Sequence, residues 1–163
     1  MLIRKAVRED IQAMLDIYNY EVEYGTATMD IYPRSYEEWE KWFERHNVDN
    51  HPLIVAELDG KTVGYVSLSL YRERAAYNST VELSIYVERS HRCEHIGSAL
   101  MEEIIRIAKE DPTIHMIVSV INSSNVASIR IHEKFGFKFC GMLHEAAIKF
   151  GEYLDISHYE LHV

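Results

Sequence analysis

Apolar and polar residues recur in two different periods along this chain, and each change of period marks a new element. Leu2 to Val7 reads as a first strand. From about Asp10 to Tyr24 the spacing becomes helical: Ile11, Met14, Leu15, Tyr18 and Val22 fall on one face, and Gly25 offers a stop. Pro33 then precedes Ser35-Tyr36-Glu37-Glu38, the pattern of a capping box in which the serine caps and the glutamate reaches back. A second helix is expected from there to about His46, with Trp39, Trp42 and Phe43 facing inward. Pro52 to Leu58 and Lys61 to Tyr71 read as a hairpin, because Asp59-Gly60 between them suits a tight type I′ turn.

The next strand, Val81 to Val87, alternates cleanly. Val81, Leu83, Ile85 and Val87 point one way, while Thr80, Glu82, Ser84 and Tyr86 point the other. After it comes a polar turn, Arg92-Cys93-Glu94-His95-Ile96-Gly97-Ser98, and a helix to about Glu110. Ile114 to Val120 is a short apolar strand. Ser124 to Phe135 reads as a helix, with Gly136 closing it and Phe137 packing back. Two strands end the chain, about Phe137 to Lys149 and Tyr153 to His162, joined by a turn at Gly151. The predicted order is β-α-α-β-β-β-α-β-α-β-β. It defines an α/β (α+β) domain with one mixed sheet and helices on both faces, not a doubly wound parallel sheet.

Composition narrows the reading without changing it. The 163 residues suit a single domain, 1–163, and no repeat or linker divides them. Net charge is −9 and no basic stripe is visible, which argues against a nucleic-acid partner. No apolar run is long enough to span a bilayer and the N-terminus lacks a signal-peptide pattern, so no membrane role and a cytoplasmic location are expected. The two cysteines, Cys93 and Cys140, are too few for a disulfide framework, and no Cys/His spacing suggests a metal site.

The turn after Val87 carries the chemistry. A strand that breaks into a polar turn and restarts as a helix aims backbone N–H groups and a positive helix end at one spot, which suits a phosphate or pyrophosphate. His95 occupies the position where such a cradle most needs a glycine. Glu82, on the strand leading into it, is open to two readings: a residue on a wet sheet face, or a cleft carboxylate whose pKa burial raises toward that of a general base. Asn125 and Ser128 suit either helix capping or ligand binding. His132 lies two turns beyond Asn125 on the same face, as a structural residue or a proton donor. Arg72 and Arg74 read as a solvated loop or a small-anion site.

Together these blocks resemble the GCN5-related N-acetyltransferase (GNAT) superfamily, and within it the phosphinothricin and methionine-sulfoximine acetyltransferase group. The resemblance spans nearly the whole chain. It rests on I-Y-N-Y-E-V, T-A-T, P-R-S-Y-E-E-W, V-A-E-L-D-G-K-T-V-G-Y, R-E-R-A-A-Y-N-S-T-V-E, the turn, N-V-A-S-I-R-I-H-E-K-F-G-F and K-F-G-E-Y-L-D in that order. It implies a splayed central strand pair holding acetyl-CoA as acetyl donor, with no metal. Backbone groups of Ile85, Tyr86 and Val87 would pair with the pantetheine arm, and Arg92, Cys93, Glu94, His95, Ile96, Gly97 and Ser98 would hold the pyrophosphate. Asn125, Ser128 and Lys134 match further cofactor positions. Glu82 matches the family's proposed base, and His132 stands where many members have a tyrosine acid. Arg72, Arg74 and Tyr77 lie in the segment bordering the acceptor pocket, where two arginines would hold a carboxylate or phosphinate.

The implied reaction is direct transfer of an acetyl group to the amine of a small amino acid or analogue. Glu82 would deprotonate the ammonium, and backbone N–H groups near Tyr86 or Val87 would stabilise the oxyanion. A homodimer is implied as well. One departure matters. The superfamily turn is usually R/Q-x-x-G-x-G/A, and here Cys93 and His95 replace residues that are glycine in relatives. Weakened CoA binding is therefore expected, and an acyl-CoA-binding or regulatory module with little turnover is the rival reading.

Overall fold

The computed structural model describes residues 1–163. Seven strands, β1 (Leu2–Lys5), β2 (Leu53–Leu58), β3 (Lys61–Leu70), β4 (Thr80–Val87), β5 (Met116–Asn122), β6 (Lys138–Lys149) and β7 (Glu152–His162), form one sheet in the order β1-β2-β3-β4-β5-β7-β6. Four helices accompany it: α1 (Ile11–Tyr24), α2 (Tyr36–Phe43), α3 (Ile96–Glu110) and α4 (Val126–Lys134). All neighbouring strands are antiparallel except β4 and β5, which run parallel. The predicted order and mixed sheet are those observed.

Local chemistry sets the boundaries. Ser35 caps α2 by accepting the Glu38 N–H at 3.2 Å, and the Glu38 carboxylate accepts the Ser35 N–H at 2.8 Å, completing the capping box. Asp59 and Gly60 both have positive φ, 50° and 77°, as a type I′ hairpin turn requires. β1 stops two residues earlier than its apolar pattern suggests. The Asp10 carboxylate accepts the Val7 N–H at 2.8 Å and turns the chain into a short 3-10 turn at Arg8–Asp10. α2 ends at Phe43, short of His46, because the chain turns through Asn47 and Asp49, both at positive φ.

The two sheet faces bury separate cores. On one, Val81 and Leu83 of β4 pack with Ile96, Leu100, Met101 and Ile104 of α3, and Ile129 and Ile131 of α4 border the same cluster. On the other, Ile11, Met14 and Leu15 of α1 and Trp39 of α2 pack on Leu53, Val55 and Tyr65. Gly64 seats α3 against β3: a Cβ there would lie 3.1 Å from the Tyr86 carbonyl oxygen and 3.3 Å from both Ile96 and Leu100. Asp10 ties the second face down. It takes a two-pronged contact from Arg4 (2.7 and 2.8 Å) and the Thr62 hydroxyl at 2.6 Å. Burial pushes the Asp10 carboxyl up, but these donors outweigh it and hold its pKa below the ordinary value.

Candidate active site

β4 and β5 pair only at Thr80/Met116, Val81/Ile117 and Glu82/Val118. Beyond Glu82 they separate, although β4 stays paired with β3 as far as Val87 and β5 with β7 as far as Asn122. The gap is a cleft of about 490 Å³ lined by Ser84 to Val87 on one side and Ser119 to Asn122 on the other. Glu88 donates its N–H to Val63 of β3 at 2.8 Å. Strand alternation then turns the N–H groups of Ile85 and Val87 toward the opened gap and that of Tyr86 toward β3. Of the two donors named from the sequence, Val87 is the one so placed.

At the mouth of the gap lies the turn that leads into α3. Cys93 (φ 67°) and His95 (φ 63°) both adopt the left-handed conformation, so the chain keeps a glycine-type backbone without glycine at either position. None of the backbone N–H groups from Cys93 to Ser98 has a backbone acceptor in the chain. That run of free donors at a helix start fits an anionic diphosphate. Gly97 is small for a packing reason: a Cβ would meet Ile131 of α4 at 3.2 Å. The turn's charged side chains are engaged elsewhere. Arg92 pairs with the buried Glu21 of α1, and Glu94 contacts His91 at 3.0 Å. Lys134 reaches the Ser98 hydroxyl at 3.3 Å. The turn therefore offers its backbone first, with Lys134 as the adjacent cation.

The far wall is α4. Asn125 caps it, its side-chain oxygen accepting the Ser128 N–H at 3.1 Å. His132 is buried, 2% exposed, with its ring edge against Phe137 at a centroid distance of 4.9 Å. Its Nδ1 lies 2.7 Å from the Ser128 carbonyl oxygen. A carbonyl only accepts, so Nδ1 carries the proton and Nε2 presents a bare lone pair. Burial lowers the His132 pKa and keeps the ring neutral. Nε2 and the buried Ser119 hydroxyl have no partner within the protein, and both residues line the cleft.

Glu82 sits at the apex, on the last register pair before the strands part. Burial raises its pKa above the ordinary carboxylate value, and Arg72 partly opposes that. Its strand face is not simply wet, since α1 and α2 cover it. Arg72, Arg74 and Tyr77 lie together on the exposed loop before β4 and line neither this cleft nor its neighbour. Arg72 lies over the Tyr71 ring at 5.0 Å, and Tyr71 meets Tyr77 edge-on at 5.6 Å.

Sequence reasoning missed a second cavity, of about 420 Å³, between α1, α2 and the β3–β4 surface. Ser84 and Tyr86 line both spaces. Its sequence signal was Ser67 and Ser69, alternate polar positions in the otherwise apolar β3.

A sheet parted between two parallel strands, with a donor-rich turn at the mouth and a half-buried carboxylate at the apex, defines an acyltransferase of the mixed α/β class. The model of the Acetyltransferase (GNAT) domain matches residues 3–157, and the chain belongs to that family. It is an N-acetyltransferase. An L-methionine sulfoximine/L-methionine sulfone acetyltransferase of Salmonella typhimurium is 31% identical over 99% of this chain and 94% of that protein. The structure of a phosphinothricin acetyltransferase from Sinorhizobium meliloti, in complex with acetyl-CoA, superposes with a TM-score of 0.94 at 30% identity, covering 99% and 88% of the two chains. A ribosomal-protein-alanine N-acetyltransferase from Brucella melitensis superposes at 0.96 with 36% identity over the full length of both.

Proposed function

We propose that this enzyme transfers the acetyl group of acetyl-CoA directly to the amine of a small amino acid or analogue of the methionine sulfoximine, methionine sulfone or phosphinothricin type. The observation that carries the reading is the parted β4–β5 pair with Glu82 at its apex. The free N–H groups from Cys93 to Ser98 and the inward N–H groups of Ile85 and Val87 suit a diphosphate and an amide-bearing arm, so the residues fit the donor. Ser98, Asn125, Ser128 and Lys134 border the same path. Acetyl-CoA supplies a thioester, an acyl group activated toward an amine.

The chain's own residues do the rest. An amine acceptor is an ammonium ion at neutral pH and has no lone pair to attack with. Glu82, its pKa raised by burial, is a better base than an exposed carboxylate and takes that proton. The Val87 N–H faces the gap and is our choice of donor toward oxygen charge developing there. His132 acts as an acceptor at Nε2 rather than as the acid implied by the resemblance, because its one proton is committed to Ser128; as the C–N bond forms the C–S bond breaks, and the departing thiolate takes its proton from solvent. Arg72, whose charge reaches Glu82, is our choice for the acceptor's carboxylate, whereas Arg74 lies outside both cavities. Release of free CoA thiol with methionine sulfone, and its loss in Glu82→Gln, tests the proposal.

The assembly we propose is a homodimer. Exposed Phe139, Leu143, Ile148, Phe150 and Tyr153 give β6, β7 and their turn an apolar surface suited to a second copy. Light scattering should return twice the 19.1 kDa chain mass. The compartment we propose is the cytoplasm, on the free, exposed thiols of Cys93 and Cys140.

A further inference from the structure

β6 is an edge strand with one buried residue, and that residue is a lysine. From Lys138 to Ile148 the side chains are exposed or half-buried, whereas Lys149, the last of the strand, is 3% exposed. A buried ammonium is costly unless it is bonded. The Lys149 ammonium donates to two backbone carbonyl oxygens far away in the chain, that of Glu21 at 3.1 Å and that of Thr28 at 2.9 Å. The acetyl transfer described above makes no use of this charge.

The two carbonyls bracket the loop that follows α1. Gly25, Thr26 and Ala27 of that loop line the cleft between β4 and β5, together with Glu21. The Glu21 carbonyl also accepts the Gly25 N–H at 3.1 Å, so the end of α1 and the start of the loop are clipped at one oxygen. The carboxylate of the same residue pairs with Arg92, which opens the diphosphate turn. Gly25 makes room for that carboxylate. A Cβ on Gly25 would lie 2.1 Å from Glu21 Oε2 and 3.0 Å from its Cδ. The backbone of Gly25 is extended, with φ −125° and ψ 177°, a conformation open to any residue. Its missing side chain therefore serves Glu21, not the chain's own geometry.

We propose that Lys149 and Gly25 are positioning residues for the acetyl-CoA site, acting through Glu21 on Arg92. Lys149 sets where the main chain of Glu21 lies, and Gly25 sets where its carboxylate lies. The carboxylate anchors Arg92 directly before Cys93 and His95, the two residues of the turn held in left-handed backbone. The inference rests on the reading above in which this turn takes the diphosphate of acetyl-CoA. It adds an anchor that reaches the turn from the far edge of the sheet.

Calorimetry with CoA tests this without turnover. Gly25→Ala keeps every charge and displaces the Glu21 carboxylate. Lys149→Met removes the ammonium at similar length. Each weakens CoA binding about tenfold. In Glu21→Ala the anchor is already gone, so adding either substitution costs no further affinity. A lysine or glycine that serves only the fold predicts losses that add to that of Glu21→Ala, and additive losses overturn the proposal. Should Lys149→Met fail to fold, Lys149→Gln, which keeps an N–H donor at shorter reach, takes its place in the cycle. In turnover the same variants raise KM for acetyl-CoA, and a rise confined to the acceptor's KM overturns the proposal. No heat of CoA binding in wild type overturns the donor reading and this inference with it. Wild-type binding with additive losses overturns the positioning alone. Coupled losses in a chain that releases no thiol support the positioning and overturn the transfer reading.

Discussion

The Nδ1 of His132 sits 2.7 Å from the carbonyl oxygen of Ser128, one helical turn behind it. That single contact fixes the tautomer of a buried ring and decides which way a proton can move at Nε2. His132→Phe should lower kcat/KM roughly tenfold by removing an acceptor. It should leave the acid side of the pH profile in place. An imidazolium acid predicts something else: activity that falls as pH rises through a pKa below 6.5, in wild type and not in the variant.

Arg72 sets where that acid side lies. Its charge holds the Glu82 pKa down against burial. Arg72→Gln should therefore move the lower limb of kcat/KM to higher pH, since more base is needed to keep Glu82 ionised. Added salt should produce part of the same shift in wild type, because Arg72 is exposed and its field is screened. A limb that stays put in the variant would separate the two residues.

His95 and Cys93 hold left-handed backbone that costs a side-chain-bearing residue about 1 kcal/mol. His95→Gly should raise stability by up to that amount and also tighten CoA binding by removing bulk from the turn. Calorimetry with CoA and thermal unfolding measure the two separately. Unchanged affinity with higher Tm would show that the imidazole does not obstruct the turn.

His46 gives the fold a pH dependence of its own. Its Nδ1 donates to the Trp42 carbonyl oxygen and its Nε2 accepts from Ser69, both at 2.8 Å. Burial lowers its pKa from 6.5 to about 4. A depressed histidine stabilises the fold above the unfolded-state pKa, and that contribution drains away as pH falls from 6.5 toward 4, a loss of about 3 kcal/mol. Urea unfolding across that range should show the loss in wild type and a shallower slope in His46→Leu. Parallel slopes would exclude this residue as the source.

What the sequence disclosed was local. The α1 stripe, the Ser35–Glu38 box, the Asp59-Gly60 turn and the alternation of β4 each lie within one element, and each formed as its pattern requires. The left-handed strain at His95 was also legible, since a glycine position follows from the turn itself. What escaped depends on residues distant in the chain. The ion pair between the Arg92 side chain and Glu21 on α1 joins residues far apart in the chain. The second cavity needs α1, α2, β3 and β4 together, and only Ser67 and Ser69 hinted at it. The spacing of Ser128 and His132 was visible. The burial that keeps the ring neutral was not.

The central claim is that Glu82, at the apex of the parted strands, takes the acceptor's proton. Thiol release from acetyl-CoA with methionine sulfone, followed as a function of pH in wild type and Glu82→Gln, tests it directly. Activity in wild type should fall as pH drops toward a Glu82 pKa above 4.5, and the variant should lose about 10²-fold or more in kcat/KM and that pH dependence with it. Full kcat/KM in Glu82→Gln, with the same profile, would contradict the account.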